Sequence, residues 1–307
     1  MTANTAQPTL TRGQVTLLVL LTVVWGLNWP VLKVGVSGLP ADPQTFPPLT
    51  FRALSMGLGL PLMALTLKWM RQPLWLAPAH WPQMLQLSVP NMIVWHTVII
   101  VAVQSLSSGR AAILAYTMPA FVLIWGLALY RERPTLRQWV GVGAATVGVV
   151  FLLSHEFERL SGAPWAAMQM VGAAGVWALG THMLRKTTCP ASTMTLALWM
   201  TGVTFVVLCI LAALVESPQW RTPPAHVWFG IVYNAVGVFA FAHTVWFYLA
   251  RNLPPLASSI SVMLIPVMGV FSGAVFLGEP LHWQDLAAVV MIVLAIVAIH
   301  LKRSSSS

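Results

Sequence analysis

Ten runs of about 20 predominantly apolar residues follow one another through the chain, at 14–36, 48–69, 83–103, 107–130, 135–153, 165–185, 194–215, 226–249, 255–277 and 283–301. A helix needs about 20 such residues to cross the hydrocarbon core of a bilayer. Only 7% of the residues are charged and 58% are hydrophobic, whereas a soluble domain carries roughly 25% charged residues. A water-facing surface cannot be built from so few charges. The expectation is therefore an all-α polytopic membrane protein of ten transmembrane helices. The breaks between runs carry turn chemistry, as in Pro40-Ala41-Asp42-Pro43, Arg71-Gln72-Pro73, Arg131-Glu132-Arg133-Pro134, Cys189-Pro190, Pro223-Pro224 and Gly278-Glu279-Pro280. None is long enough for a separate soluble domain.

The net charge of +9 would suggest a nucleic-acid partner in a soluble chain. Here the basic residues are scattered between apolar runs and form no basic stripe, so no such partner is expected. Their distribution sets an orientation instead, because cytoplasmic loops collect Lys and Arg. With the N-terminus inside, the inner segments hold Arg12, Lys68, Arg71, Arg131, Arg133, Arg137, Arg185, Lys186, Arg251, Lys302 and Arg303, eleven of the sixteen Lys and Arg. The outer side holds Lys33, Arg52, Arg110, Arg159 and Arg221. Both termini are thus expected in the cytoplasm, with the helices in the inner (plasma) membrane. The first run contains Trp25, Asn28, Trp29 and Lys33 and lacks a small-residue cleavage site, which favours a retained helix over a signal peptide. The two cysteines, Cys189 and Cys209, fall at different depths, so neither a disulfide nor a metal site is expected.

The chain contains itself twice, weakly. Pro119, Gly126 and Glu132 recur as Pro266, Gly273 and Glu279, each 147 positions on. Trp25, Leu32 and Lys33 correspond to Trp177, Leu184 and Arg185 at an offset of 152. The expected organisation is a tail over 1–13, a five-helix repeat over 14–153, a connecting loop over 154–164, a second five-helix repeat over 165–301 and a tail over 302–307. A repeat with an odd number of spans enters the membrane from the opposite side the second time, and such inverted repeats are common in secondary transporters.

Trp25-Gly26 followed by Lys33, Arg52 in the second span, and the Pro119 helix ending in Arg131-Glu132-Arg133-Pro134 stand in a characteristic order. The Gly-rich fifth span with Gly141, Gly143 and Gly148 follows, then Trp246-Phe247-Tyr248-Leu249-Ala250-Arg251, Pro266 and Gly278-Glu279-Pro280. In these features the whole chain resembles EamA-type members of the drug/metabolite transporter superfamily, and within them the YddG-like amino-acid exporters. Ala178 departs from that pattern, which has a glycine there. The resemblance implies a ten-helix exporter of amino acids or related small metabolites, and the direction of flux rests on it alone.

No Asp or Glu falls at mid-membrane depth, so His96, His182 and His243 are the candidate proton carriers, unless they only hydrogen-bond neighbouring helices. A buried amide needs a partner on another helix or a ligand. The candidate substrate-binding residues are Trp25, Asn28, Asn91, Trp95, Tyr116, Trp177, His182, Asn234 and His243. Indole faces attract an ammonium group and amide hydrogens bind a carboxylate, which suits a zwitterion with an apolar side chain. Helix packing explains the same residues equally well. Pro119 and Pro266 are candidate hinges. Lys33, Arg52 and Arg110 either snorkel to the headgroups or form a cationic rim at the outer mouth. No ATP-binding, metalloprotease or nucleophile-elbow motif is found, and no catalytic residue, metal or cofactor is expected. The competing classes are a membrane-embedded enzyme acting on lipid, which would need ionisable residues clustered at one depth, and a structural or sensory protein with a relic repeat.

Overall fold

The computed structural model describes residues 11–39, 44–131, 135–158, 163–246 and 255–300. Glu132, Arg133, Arg159, Arg251, Lys302 and Arg303 lie outside the described residues. All ten apolar runs are helical where described. The first two are α1 (Arg12–Ser37) and α2 (Pro48–Trp69). The third is composite: a 3-10 turn Pro78–His80, α3 (Trp81–Ser88), a π-helical segment Val89–Ile93 and α4 (Val94–Ala102). The fourth divides into α5 (Ser108–Ala115) and α6 (Met118–Tyr130). Next come α7 (Leu136–Glu158), α8 (Pro164–Lys186) and α9 (Thr193–Val215). The eighth run is α10 (Ala225–Val232) continued by a π-helix Tyr233–His243, and the last two are α11 (Pro255–Leu277) and α12 (Trp283–His300). The helix of α7 continues to Glu158, into the stretch expected as a loop from 154.

Among the described residues, six helical stretches are long and apolar enough to cross a membrane by themselves: Arg12–Ser37, Pro48–Trp69, Pro78–Ala102, Ser108–Leu129, Thr193–Val215 and Ala225–Trp246. Large apolar side chains such as Val19, Leu65, Leu214 and Val275 stand exposed on the outside of the bundle. A surface of this kind suits lipid and not water. The chain is an all-helical, multi-pass membrane protein.

The irregular stretches have local causes. Pro90 lacks an N–H, so the ladder of the third run cannot stay regular and winds through a π segment there. Both π segments also contain an asparagine whose side chain takes the carbonyl four residues back, competing with the backbone for it. Asn91 Nδ2 donates to Leu87 O (2.9 Å), and Asn234 Nδ2 donates to Gly230 O (3.0 Å). In the fourth run the ring of Pro119 would meet the carbonyl four residues earlier, that of Ala115, and α5 ends at Ala115. Pro266 instead sits inside an uninterrupted α11. The two candidate hinges therefore sit differently, Pro119 at a break in its run and Pro266 within a continuous helix.

The packing of one half repeats in the other. α1 lies against the α10–π-helix run and α11, while α8, its counterpart, lies against the α3–α4 run and α5–α6. α2 packs on α9, α5 on α11, and α7 on α12. Backbones approach closely where α1 crosses α11. A Cβ on Gly26 would lie 2.6 Å from Met268 Cβ, so nothing larger than glycine fits that crossing.

Candidate functional site

The candidate residues gather into two groups joined through α4. In the first, Trp25 of α1 meets His243 edge-on at 6.1 Å between centroids. His243 stacks on Phe239, one turn back along the same π-helix, at 5.5 Å and 10°. His96 of α4 faces both, with centroids 5.6 Å from Phe239 and 6.5 Å from His243. His243 Nδ1–H donates to Val238 O at 2.8 Å, which fixes the tautomer of the neutral ring, whereas His96 Nδ1 is buried without a partner.

Arg52, expected at the outer mouth as a rim or snorkelling cation, completes this group as a buried side chain. It is 1% exposed. Its Nη1 donates to Asn234 Oδ1 at 3.1 Å, and Cζ lies 6.0 Å from the centre of the Phe239 ring. Asn234 stands nine residues into the helical run that begins at Ala225, roughly 14 Å along it. The side chain therefore lies inside the bundle and not at the end of α2. Its Nε and Nη2 are buried with no partner.

In the second group Trp95 and Trp177 lie 4.4 Å apart between centroids, tilted by 33°. Beside them Asn91 Nδ2 also donates to Gly180 O at 3.1 Å, tying the third run to α8. Asn28 shares the Trp25 face of α1, and its Oδ1 is buried and unpartnered. Tyr116 occupies the break between α5 and α6 and packs against the main apolar core. His182 is anchored to α6, its Nε2–H donating to Val122 O at 2.7 Å.

The other two cations of the expected rim are also engaged. Lys33 donates to the carbonyls of Val103 (3.2 Å) and Gln104 (2.8 Å), just past the C-terminal end of α4, where helix-terminal carbonyls favour a cation. Arg110 Nε pairs with Asp285 Oδ1 at 2.8 Å, both side chains nearly buried. Around them, carboxylates of the second half cap helices of the first. Glu216, after α9, accepts from Leu49 N (2.9 Å), Thr50 N (2.8 Å) and Thr50 Oγ1 (2.8 Å) at the start of α2. Glu279, after α11, accepts from Ser108 N (2.7 Å), Ser108 Oγ (2.8 Å) and Gly109 N (3.3 Å) at the start of α5. The pocket between Ser107, Gly109, Arg110, Glu279 and Asp285 has room for about one water. Glu216, Glu279 and Asp285 thus tie the second half to the first at these helix ends.

Reading the sequence residue by residue passed over Phe239, the ring against which Arg52, His96 and His243 all pack. A signal for the site was present nonetheless. His96-Thr97-Val98 recurs as His243-Thr244-Val245, 147 positions on, the offset already carried by the prolines and glutamates.

The model of the family described as "EamA-like transporter family" matches the chain twice, over residues 13–154 and 164–301. The chain is similar to an inner membrane transporter of Escherichia coli (strain K12), YedA, described as uncharacterized, at 28% identity over 92% of this chain and 88% of that one. It is also similar to a Salmonella typhimurium (strain LT2) protein described as "Probable amino-acid metabolite efflux pump", at 25% identity over 90% of this chain and 91% of the other. A solved crystal structure shares the fold with a TM-score of 0.63 at 17% identity, covering 94% of this chain and 98% of the other.

Proposed function

The chain belongs to the EamA-like transporter family, and on that premise we propose that it exports amino acids, aromatic and other neutral ones foremost, or related small metabolites, by alternating access. The family is one of membrane transporters and not of enzymes. The reading is carried by one observation: aromatic and imidazole side chains from both halves meet in a single cluster, Trp25 and His96 against Phe239 and His243, with the Asn234 amide joined to it through Arg52. Such a lining suits a zwitterion with an apolar side chain, since indole faces attract an ammonium group. The relative named for amino-acid metabolite efflux supports the same substrate class.

In this reading the ten helices span the membrane as two inverted repeats of five, with both termini cytoplasmic, as the distribution of Lys and Arg favours. The end closed by Glu216, Glu279 and the Arg110–Asp285 pair then faces outward, and export proceeds as that end opens. The chain carries no ATP-binding motif, so the driving force is the gradient of the solute or of an ion.

The test is uptake of a panel of radiolabelled amino acids into liposomes holding the purified protein, with and without a pH gradient. Saturable flux indifferent to the gradient supports a facilitated carrier of amino acids. Flux that follows the gradient supports exchange with protons. No flux above empty liposomes, from protein shown to be folded, overturns the amino-acid reading.

A further inference from the structure

We propose that Arg52 is the receptor for the carboxylate of the transported solute, an inference that rests on the transport reading above and names the group the site recognises. The argument starts from which nitrogens of the guanidinium are used. Nη1 is anchored by Asn234 Oδ1, and Asn234 is itself held by Gly230 O. Nε and Nη2 remain unpartnered and buried. These two lie on one edge of the guanidinium, with parallel N–H bonds spaced to match the two oxygens of a carboxylate. The open edge is thus the bidentate fork, oriented by a hydrogen bond on the opposite side.

Nothing within the described protein fills that fork. Glu216 and Glu279 cap α2 and α5, and Asp285 pairs with Arg110. The groups around Arg52 are an amide, an aromatic ring and two imidazoles, with no acid among the described residues. A buried cation whose donors are unmet is unfavourable and is tolerated in a membrane mainly where it serves a ligand. An arginine kept only to tie α2 to the π-helix would need no more than the Asn234 bond, and a neutral donor would serve as well. The rest of the cluster tells how a solute would lie. With its carboxylate on Arg52 it extends past Phe239 and His243 towards the indole of Trp25, where an ammonium or an apolar side chain is accommodated. Both nitrogens are buried in this conformation, so the fork is engaged as the halves part.

The experiment measures ligand-induced shifts of the unfolding temperature of the purified full chain, with flux in liposomes alongside. The probes are L-phenylalanine and 3-phenylpropionate, which carry a carboxylate, and phenylalaninamide and phenethylamine, which do not. The acids are expected to stabilise the protein at concentrations roughly 10- to 100-fold below those the amide and amine need, the worth of one or two charge-assisted hydrogen bonds. Arg52→Met should fold at least as stably without ligand and lose the preference for acids. Arg52→Lys keeps the charge without the fork and should weaken acid binding while leaving the order of preference intact. Should Arg52→Met fail to fold, Arg52→Lys and the wild-type series decide. The proposal is overturned if the wild type binds amide and acid alike, if it binds no acid, or if folded Arg52→Met retains wild-type affinity for the acids. Acids that bind but do not cross the membrane would leave the receptor standing and count against transport. Equal flux of acid and amide would do the reverse.

Discussion

Asn91 and Gly180 show how much a single position can decide in a helix bundle without water. The asparagine donates to Gly180 O, and a Cβ on Gly180 would come within 2.7–2.8 Å of all the heavy atoms of its amide group. Two effects oppose each other in Gly180→Ala. Alanine favours the helix by about 1 kcal/mol over glycine, but forcing the amide aside costs typically 1–3 kcal/mol and breaks a buried hydrogen bond worth about 1 kcal/mol. The second effect should win, lowering stability by roughly 1–3 kcal/mol in net terms. Thermal unfolding in detergent measures it, and Asn91→Ala in the same chain should remove most of the penalty by making room. If Gly180→Ala is neutral on its own, the contact is softer than its geometry implies. The sequence announced that Asn91 needed a partner but could not name it, because the partner is a backbone carbonyl 89 positions away. Arg52 was less legible still. Its place near the start of an apolar run gave its depth, but these helices are apolar on nearly all sides, so no periodicity told which way the side chain turned.

Helix ends were easier to read than helix interiors. The observed helices start and stop within a few residues of the apolar runs, because proline, glycine and charge mark the ends chemically. The π segments and the break at Tyr116–Thr117 left no comparable mark, since Pro90 and Pro119 permit several local solutions. The trans-acting caps were also illegible. Pro47 at the head of α2 offers no side-chain acceptor, and Glu216 supplies one, 166 positions from the Thr50 N–H it accepts from. A carboxylate at a helix N-terminus satisfies orphan N–H groups and complements the dipole. Glu216→Ala and Glu279→Ala should therefore each cost about 1–3 kcal/mol, read as a lowered unfolding temperature, with Glu216→Gln losing only part of it. An unchanged temperature would mean that water replaces the cap without loss. The prolines part company in the same manner. Pro119→Ala removes the cause of an existing break and should slow transport, whereas Pro266→Ala alters a helix that is already continuous and should leave the rate close to wild type. Equal effects in the flux assay would show that both helices bend during the cycle.

The two halves of the molecule meet through matching parts. α2 is capped by the glutamate after α9 and α5 by the one after α11, and each capped helix packs on the helix that carries its cap. The matched histidines face each other across the cluster at 6.5 Å. Under the proposed alternating-access cycle an assembly of this kind has one closed end at a time, and in that reading it is where α5 meets α11. A Cβ on Gly109 would stand 3.5 Å from Val270 Cβ, at the near edge of the roughly 3.5–4.5 Å a disulfide requires. The same Cβ would lie 3.0 Å from Val270 Cα, so the helices must ease apart by a few tenths of an ångström to accept it. With Cys189 and Cys209 replaced by serine, Gly109→Cys and Val270→Cys should oxidise to a cross-link that joins the halves at this end. If the end must open for solute to pass, flux falls to background on oxidation and returns on reduction, while the unfolding temperature of the oxidised protein rises. A cross-linked protein that still carries solute at the wild-type rate would show that α5 and α11 stay together throughout. Glu216, Glu279 and the Arg110–Asp285 pair would then be permanent ties of the scaffold, and the moving boundary would have to run between α1 and the π-helix, where Trp25 meets His243.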